Sequence, residues 1–155
     1  MKRLIFVSMA MLALSGCATM AKRPDPPKIV YETTPCFGTC PVYRLGVDGD
    51  GLAVFEGMQH TAMKGQRMFA VRPAEFAAFS AALAPYRPDG SVEYVGANCA
   101  TLATDFPGVR IVWTDNGRTD TLVADFGCDT DANRAMYQAI ADAVDVLPLK
   151  PYVGR

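Results

Sequence analysis

Polar and apolar residues alternate in two separate stretches of the chain. From Val42, the apolar Tyr43, Leu45 and Val47 are spaced by Arg44 and Gly46, the period-2 pattern of a half-buried strand. Asp48-Gly49-Asp50-Gly51 then reads as a turn, and Leu52 to Glu56 returns as the second arm of a hairpin. A polar loop runs from Gly57 to Gly65, and Arg67–Arg72 has the composition of a further strand. The period changes at Pro73, which suits the first position of a helix. Phe76, Phe79 and Leu83 follow at i, i+3 and i+7 as one apolar stripe reaching about Ala84.

The same succession recurs downstream. Val109, Ile111 and Trp113 alternate with Arg110, Val112 and Thr114; Asp115-Asn116-Gly117 is a hairpin turn, and Thr119–Asp125 returns. Asp129 to Asp131 offers helix caps, and Met136, Ile140, Val144 and Leu147 form a second stripe that ends before Pro148. Lys28–Thr33, ahead of both units, is rich in β-formers. The expected fold is α+β: an antiparallel sheet of four to six strands built from two hairpin-helix units, with both helices on one face. Arg44 and Arg110 fall on the opposite face, where they are solvated or meet a partner. Tyr86 to Gly108 has no clear period, and a structureless stretch of that length is often functional.

The first 16 residues belong to a different class. Met1-Lys2-Arg3 precedes an apolar run from Leu4 to Leu14, which is too short to span a bilayer core as a helix. Leu14-Ser15-Gly16-Cys17 resembles the lipobox of bacterial lipoprotein signals. That resemblance implies cleavage before Cys17, lipidation of Cys17, and, with Ala18 and not Asp in the next position, export to the outer membrane facing the periplasm. The expected organisation is a signal peptide at 1–16, a lipidated cysteine and Pro-rich tether at 17–28, one domain at 29–147, and a tail at 148–155. Arg23-Pro24-Asp25-Pro26-Pro27 makes the tether extended.

Assigning Cys17 to lipid leaves Cys36, Cys40, Cys99 and Cys128, an even number for an oxidising compartment. Of the three possible pairings, Cys36–Cys40 with Cys99–Cys128 is favoured, because Cys36 and Cys40 are close whatever the fold does. The competing chemistry is a working dithiol. Cys36-Phe37-Gly38-Thr39-Cys40-Pro41 resembles the copper-binding segment of the Sco family of copper chaperones, and Met58, His60 and Met63 follow in a nearby loop. That family's distant histidine and thioredoxin-like strand pattern have no counterpart here. The primary expectation is therefore two structural disulfides and no cofactor or metal, with Cys36, Cys40, His60, Met58 and Met63 as the alternative copper set.

Thr34-Pro35-Cys36-Phe37-Gly38-Thr39-Cys40-Pro41-Val42-Tyr43 resembles the signature of the uncharacterised bacterial domain of unknown function numbered sixty-four thirty-eight. Looser likeness continues through Val54-Phe55-Glu56-Gly57, Gly65 and Thr104-Asp105-Phe106-Pro107, spanning about Ile29 to Val146. The resemblance implies an α+β domain on an exported lipoprotein and brings no established activity or ligand.

Composition narrows the chemistry further. The chain of 155 residues is half hydrophobic and carries a formal net charge of −1, which becomes −3 once Lys2 and Arg3 leave with the leader. With no dense basic block, nucleic acid is not an expected partner. A single histidine and the lack of a Gly-x-Ser-x-Gly elbow or phosphate loop leave no catalytic constellation. Asp105, Asp115, Asp120, Asp125, Asp129 and Asp131 are mostly at turns, strand ends or the second helix cap, where Asp has local structural roles. The functional expectation is a lipid-anchored, non-enzymatic binding or structural module of the cell envelope, its partners the membrane and an envelope protein. The alternative is a thiol-redox or copper-handling protein.

Overall fold

The structure, a computed structural model, describes residues 25–154; the signal peptide, Cys17 and the tether up to Pro24 lie outside the described residues. Seven strands form one sheet: β1 (Lys28–Thr33), β2 (Val42–Asp48), β3 (Leu52–Gln59), β4 (Gly65–Ala70), β5 (Ser91–Tyr94), β6 (Gly108–Asp115) and β7 (Arg118–Asp125). Their order is β4-β3-β2-β1-β6-β7-β5, so β1 is the central strand and bridges the two hairpins through antiparallel pairing on both sides. Helices α1 (Pro73–Leu83) and α2 (Thr130–Asp142) contribute Phe79, Leu83, Tyr137 and Ile140 to the same core as the sheet.

The sheet's core-side residues are the alternate apolar positions read from the sequence. Ile29 and Tyr31 of β1 lie between Leu45 and Val47 of β2 and Ile111 and Trp113 of β6, all buried. Period-2 geometry sends every second residue to one face, so this set must share a side. At the centre Tyr31 stacks on Tyr43 and meets Phe79, while its hydroxyl donates to the Ile140 carbonyl 3.2 Å away. That bond ties the central strand to α2.

The expected antiparallel sheet of four to six strands is corrected by β5. It pairs parallel with β7, making a mixed seven-stranded sheet, and α3 (Lys150–Val153) is a third, short helix. The signal for β5 was missing because an edge strand of four residues, three of them exposed, shows no burial alternation. Two features hold it. A loop leads from α1 to the far edge of the sheet, and Asp120 of β7 pins that loop. Asp120, only 1% exposed, accepts from Arg87 Nε at 2.6 Å, Arg118 Nε at 2.9 Å and the Gly90 amide at 2.9 Å. Burial opposes its charge, but the hydrogen bonds from Arg118, Gly90 and Arg87 hold its carboxyl down to about 2.

Residues from Pro148 on, expected as a tail, instead close the core. Leu149 and Val153 are buried, and Tyr152 stacks on Phe69 and meets Phe55. The loop after β3 docks on this segment through Ala62 N to Val153 O at 3.2 Å and Met63 N to Tyr152 O at 3.0 Å. The second helical stripe also breaks: α2 stops at Asp142, and Ala143–Val146 continues as a 3-10 turn. Among the described residues the core runs from Ile29 to Val153, so a chain starting at Asp25 keeps all of it.

Strand directions give the sheet two distinct ends. The chain enters beside the β2–β3 turn, where Gly49 N donates to Pro27 O at 2.7 Å. The β1–β2 loop, the β3–β4 loop and the segments joining β5 to β6 and β7 to α2 all lie at the opposite end.

Candidate functional site

The end opposite the chain entry carries both disulfides. The β1–β2 loop is closed at its base by Thr33, whose hydroxyl donates to Pro41 O at 2.8 Å while accepting from Tyr43 N at 3.0 Å. Within it the Cys36–Cys40 bond brings the two Cα atoms to 5.7 Å, and Gly38 has a φ of 150° that a side chain would strain. The bracing presents Phe37 outward, 87% exposed. A phenyl ring held in water by a closed loop forgoes burial that folding would otherwise favour.

A second braced segment meets this loop. Cys99 is bonded to the fully buried Cys128, with Cα atoms 5.3 Å apart. From there the chain runs along the 127–129 backbone: Asp129 N donates to Thr101 O at 2.8 Å, Leu102 bridges Cys128, and Ala103 N donates to Gly127 O at 2.9 Å. A Cβ at Gly127 would lie 1.9 Å from Ala103 O, so only glycine permits this approach. The Asp129 carboxylate takes Thr101 N at 2.7 Å, Ala100 N at 3.0 Å and Thr101 Oγ1 at 3.1 Å, bonds that hold it below the usual carboxylate range. Asp129, in the Asp129–Asp131 stretch expected to offer helix caps, is the N-cap residue of α2, but it makes no side-chain cap bond there. It adopts a left-handed conformation, φ 44°, from which its side chain serves the neighbouring segment.

The two segments join at their tips. Phe37 N donates to Asp105 O at 3.3 Å, Thr34 N donates to Gly108 O at 2.9 Å, and Gly108 N donates to Thr34 Oγ1 at 2.7 Å. The stretch around Thr34–Tyr43 and the later Thr104–Pro107 are thus one structural unit. Leu102 and Phe106 are exposed here, and Met58 and Met63 are exposed at the same end. Beside Phe106, a cleft of about 190 Å³ is lined by Pro107, Phe126, Tyr137, Ala141 and the flank of Arg134. It is smaller than the roughly 300–1,000 Å³ of small-molecule pockets and has the size for one apolar side chain.

The alternative copper set is distributed around this end. Gln59 of β3 pairs with Val42 of β2, so Met58 and His60 lie at the same end as Cys40. Cys36 and Cys40 are bonded to each other, and the Met63 backbone is turned to α3. Among the described residues no group of three or more His, Cys, Asp or Glu is gathered to hold a metal ion. No helix of the described residues is long and apolar enough to cross a membrane. Cys17, the expected lipidation position, lies outside the described residues.

Leu102 and Phe106 lie in the Tyr86–Gly108 stretch marked as a functional candidate, but the sequence does not single out either residue as a contact, and it reads Asp129 only as a helix cap. The available signal was Asp105-Phe106-Pro107, a large apolar residue in a turn-forming context. A family model described as "Domain of unknown function (DUF6438)" matches residues 27–144. The chain belongs to this family. The matched span corrects the range of about Ile29 to Val146 drawn from the quoted motifs: it begins at Pro27, whose carbonyl anchors the β2–β3 turn, and ends at Val144 in the turn after α2. It encloses both disulfides and the loop-end unit. No curated protein matches the chain.

Proposed function

We propose that this member of the DUF6438 family is a non-enzymatic binding module of the cell envelope, anchored by lipid on Cys17 in the outer membrane, facing the periplasm, and engaging a protein partner with its disulfide-braced end. One observation carries this reading. The chain enters at the Pro27–Gly49 contact, and the rigid unit presenting Phe37 is at the other end of the sheet. A tether at one end and an exposed aromatic held by covalent bracing at the other suit a module that reaches away from a surface. The cleft beside Phe106 would receive an apolar side chain of the partner, and Phe37 would enter a pocket on it, the arrangement of a hot-spot contact.

The test is site-specific photocrosslinking in intact cells. A photoreactive phenylalanine analogue at position 37 is expected to give a discrete protein adduct, lost when Phe106→Glu charges the rim of the cleft. The same analogue at Asn116, near the chain entry, should give none. Equal adducts at both positions, or none at 37, would refute the assignment. Anchoring is tested separately: Cys17→Ser should abolish fatty-acid labelling and release the chain from the membrane fraction.

A second reading rests on the Val42–Gln59 pairing, which brings Met58 and His60 to the end that holds Cys40. A thiol-redox or copper-handling role predicts that the reduced chain binds copper(I) with a stoichiometry of one and that His60→Ala weakens it. A reduced chain that takes up no more copper than its Cys36→Ser/Cys40→Ser variant counts against that role.

A further inference from the structure

We propose that the helix-free face of the sheet binds a second copy of this chain, in one orientation set by its charges. The helices pack on the other face, where Phe79, Leu83, Tyr137, Ile140 and Val153 join the core. The residues of the helix-free face fall in three rows fixed by the ladder register. One row reads Met68, Val54, Gly46, Val30, Val112, Thr121 from β4 to β7. The next reads Glu56, Arg44, Glu32, Arg110 across β3, β2, β1 and β6. The third places Asp48 of β2 beside Lys28 of β1. Glu32 accepts from Arg44 Nε at 2.6 Å and pairs with Arg110 at 3.4 Å, and the Lys28 stem lies over Gly46. The charges of these two rows cancel, so two copies meet without net repulsion.

The order of signs selects the symmetry. A two-fold axis in the interface, parallel to the strands and midway between β1 and β2, exchanges β1 with β2 and β3 with β6. Arg44 then faces the partner's Glu32, Glu56 faces the partner's Arg110, and Lys28 faces the partner's Asp48. In the apolar row Val30 faces the partner's Gly46, where a missing side chain leaves room, and Val54 faces the partner's Val112. An axis across the strands through the apolar row would set Glu32 against the partner's Lys28 and Arg44 against the partner's Asp48, but it leaves Glu56 and Arg110 with no opposite charge, so the axis along the strands pairs more of the charges. The favoured axis also leaves both chain entries at one end, so two anchored copies reach the same membrane. That last point rests on the anchored reading; the association itself does not.

Size is consistent with a stable contact. Strands spaced ~4.8 Å apart and rising ~3.3 Å per residue make this face roughly 600–750 Å². A standard interface buries about 800 Å² per partner. The half-buried valines and Met68, 63% exposed, supply the apolar centre.

Sedimentation equilibrium on the chain from Asp25 onward tests the proposal, with circular dichroism to verify folding. The wild-type chain is expected to be a dimer. Arg44→Glu and Glu32→Arg each place like charges opposite one another and should weaken self-association by at least about tenfold. Mixed in equal amounts, the two variants should form a heterodimer, because Glu at 44 then faces Arg at 32 and Arg44 faces Glu32. A monomeric wild type overturns the proposal whatever the variants do. So does a dimer that Arg44→Glu leaves intact, or a folded pair of variants that fails to associate on mixing. Failure of Phe37 crosslinking in cells would leave this result untouched, so the two readings fail separately.

Discussion

Removing the Cys99–Cys128 bond by changing both residues to Ala should lower stability by clearly more than removing Cys36–Cys40 in the same way. Alanine is the proper replacement because Cys128 is fully buried, and a serine hydroxyl there would lose water without gaining a partner. The sequence separations are 29 and 4 residues. Loop-closure entropy then assigns about 3.6 kcal/mol to the first bond and about 2 kcal/mol to the second. With an unfolding entropy of ~2.1 cal/mol/K per residue over about 130 residues, these correspond to falls in Tm of about 13 °C and about 7 °C. Both bonds act mainly by restricting the unfolded chain. The native position of residues 100–103 is kept by the Asp129 bonds and the Leu102–Cys128 bridge even without sulfur. Differential scanning calorimetry of the two double variants, from Asp25 on, makes the comparison directly. A Cys99→Ala/Cys128→Ala variant that melts no lower than Cys36→Ala/Cys40→Ala would refute the reasoning. The native contacts, and not the loop length, would then set the stabilisation.

Other outcomes follow from single positions. The Asp120 carboxyl is held down to about 2 against an ordinary 3.8, so its contribution is complete above about pH 4 and is lost as pH falls from there through 2. Acid melts should show this loss in the wild type, and Asp120→Asn should show a smaller slope across that window; identical slopes would count against the Arg118–Gly90–Arg87 arrangement. Gly127→Ala must push back the Ala103 carbonyl and should cost about 1–3 kcal/mol in urea unfolding, whereas Gly117→Ala, with open space around its Cβ, meets only the strain of its positive φ. Phe37→Ala should leave the urea midpoint nearly unchanged, because the ring buries almost nothing in the folded chain.

Much of this architecture is set by local pattern. The hairpins around Asp48–Gly51 and Asn116-Gly117 and the Phe76–Phe79–Leu83 stripe depend on period and turn chemistry, which act over a few residues and are written directly in the chain. The closeness of Cys36 and Cys40 is likewise a matter of sequence distance. Long-range pairing decided the rest. Nothing local in Ser91–Tyr94 marks it as a strand, because an edge strand with one neighbour needs no buried face; it becomes one only when Asp120 captures the Arg87–Gly90 loop. Asp129 has the composition of a helix cap, yet the Cys99–Cys128 bond brings two free amides within reach of its carboxylate, and those win. Leu149 and Val153 lie beyond a proline that ends the helical period, and their burial depends on the β3–β4 loop folding back to meet them. The candidate site follows the same rule: its two halves are some 70 residues apart, and only the pairing of β1 with β6 sets Phe37 beside Asp105. Sequence period can say which face a residue takes, but which residues share an end of the sheet is a property of strand order, and strand order is decided by the packed whole.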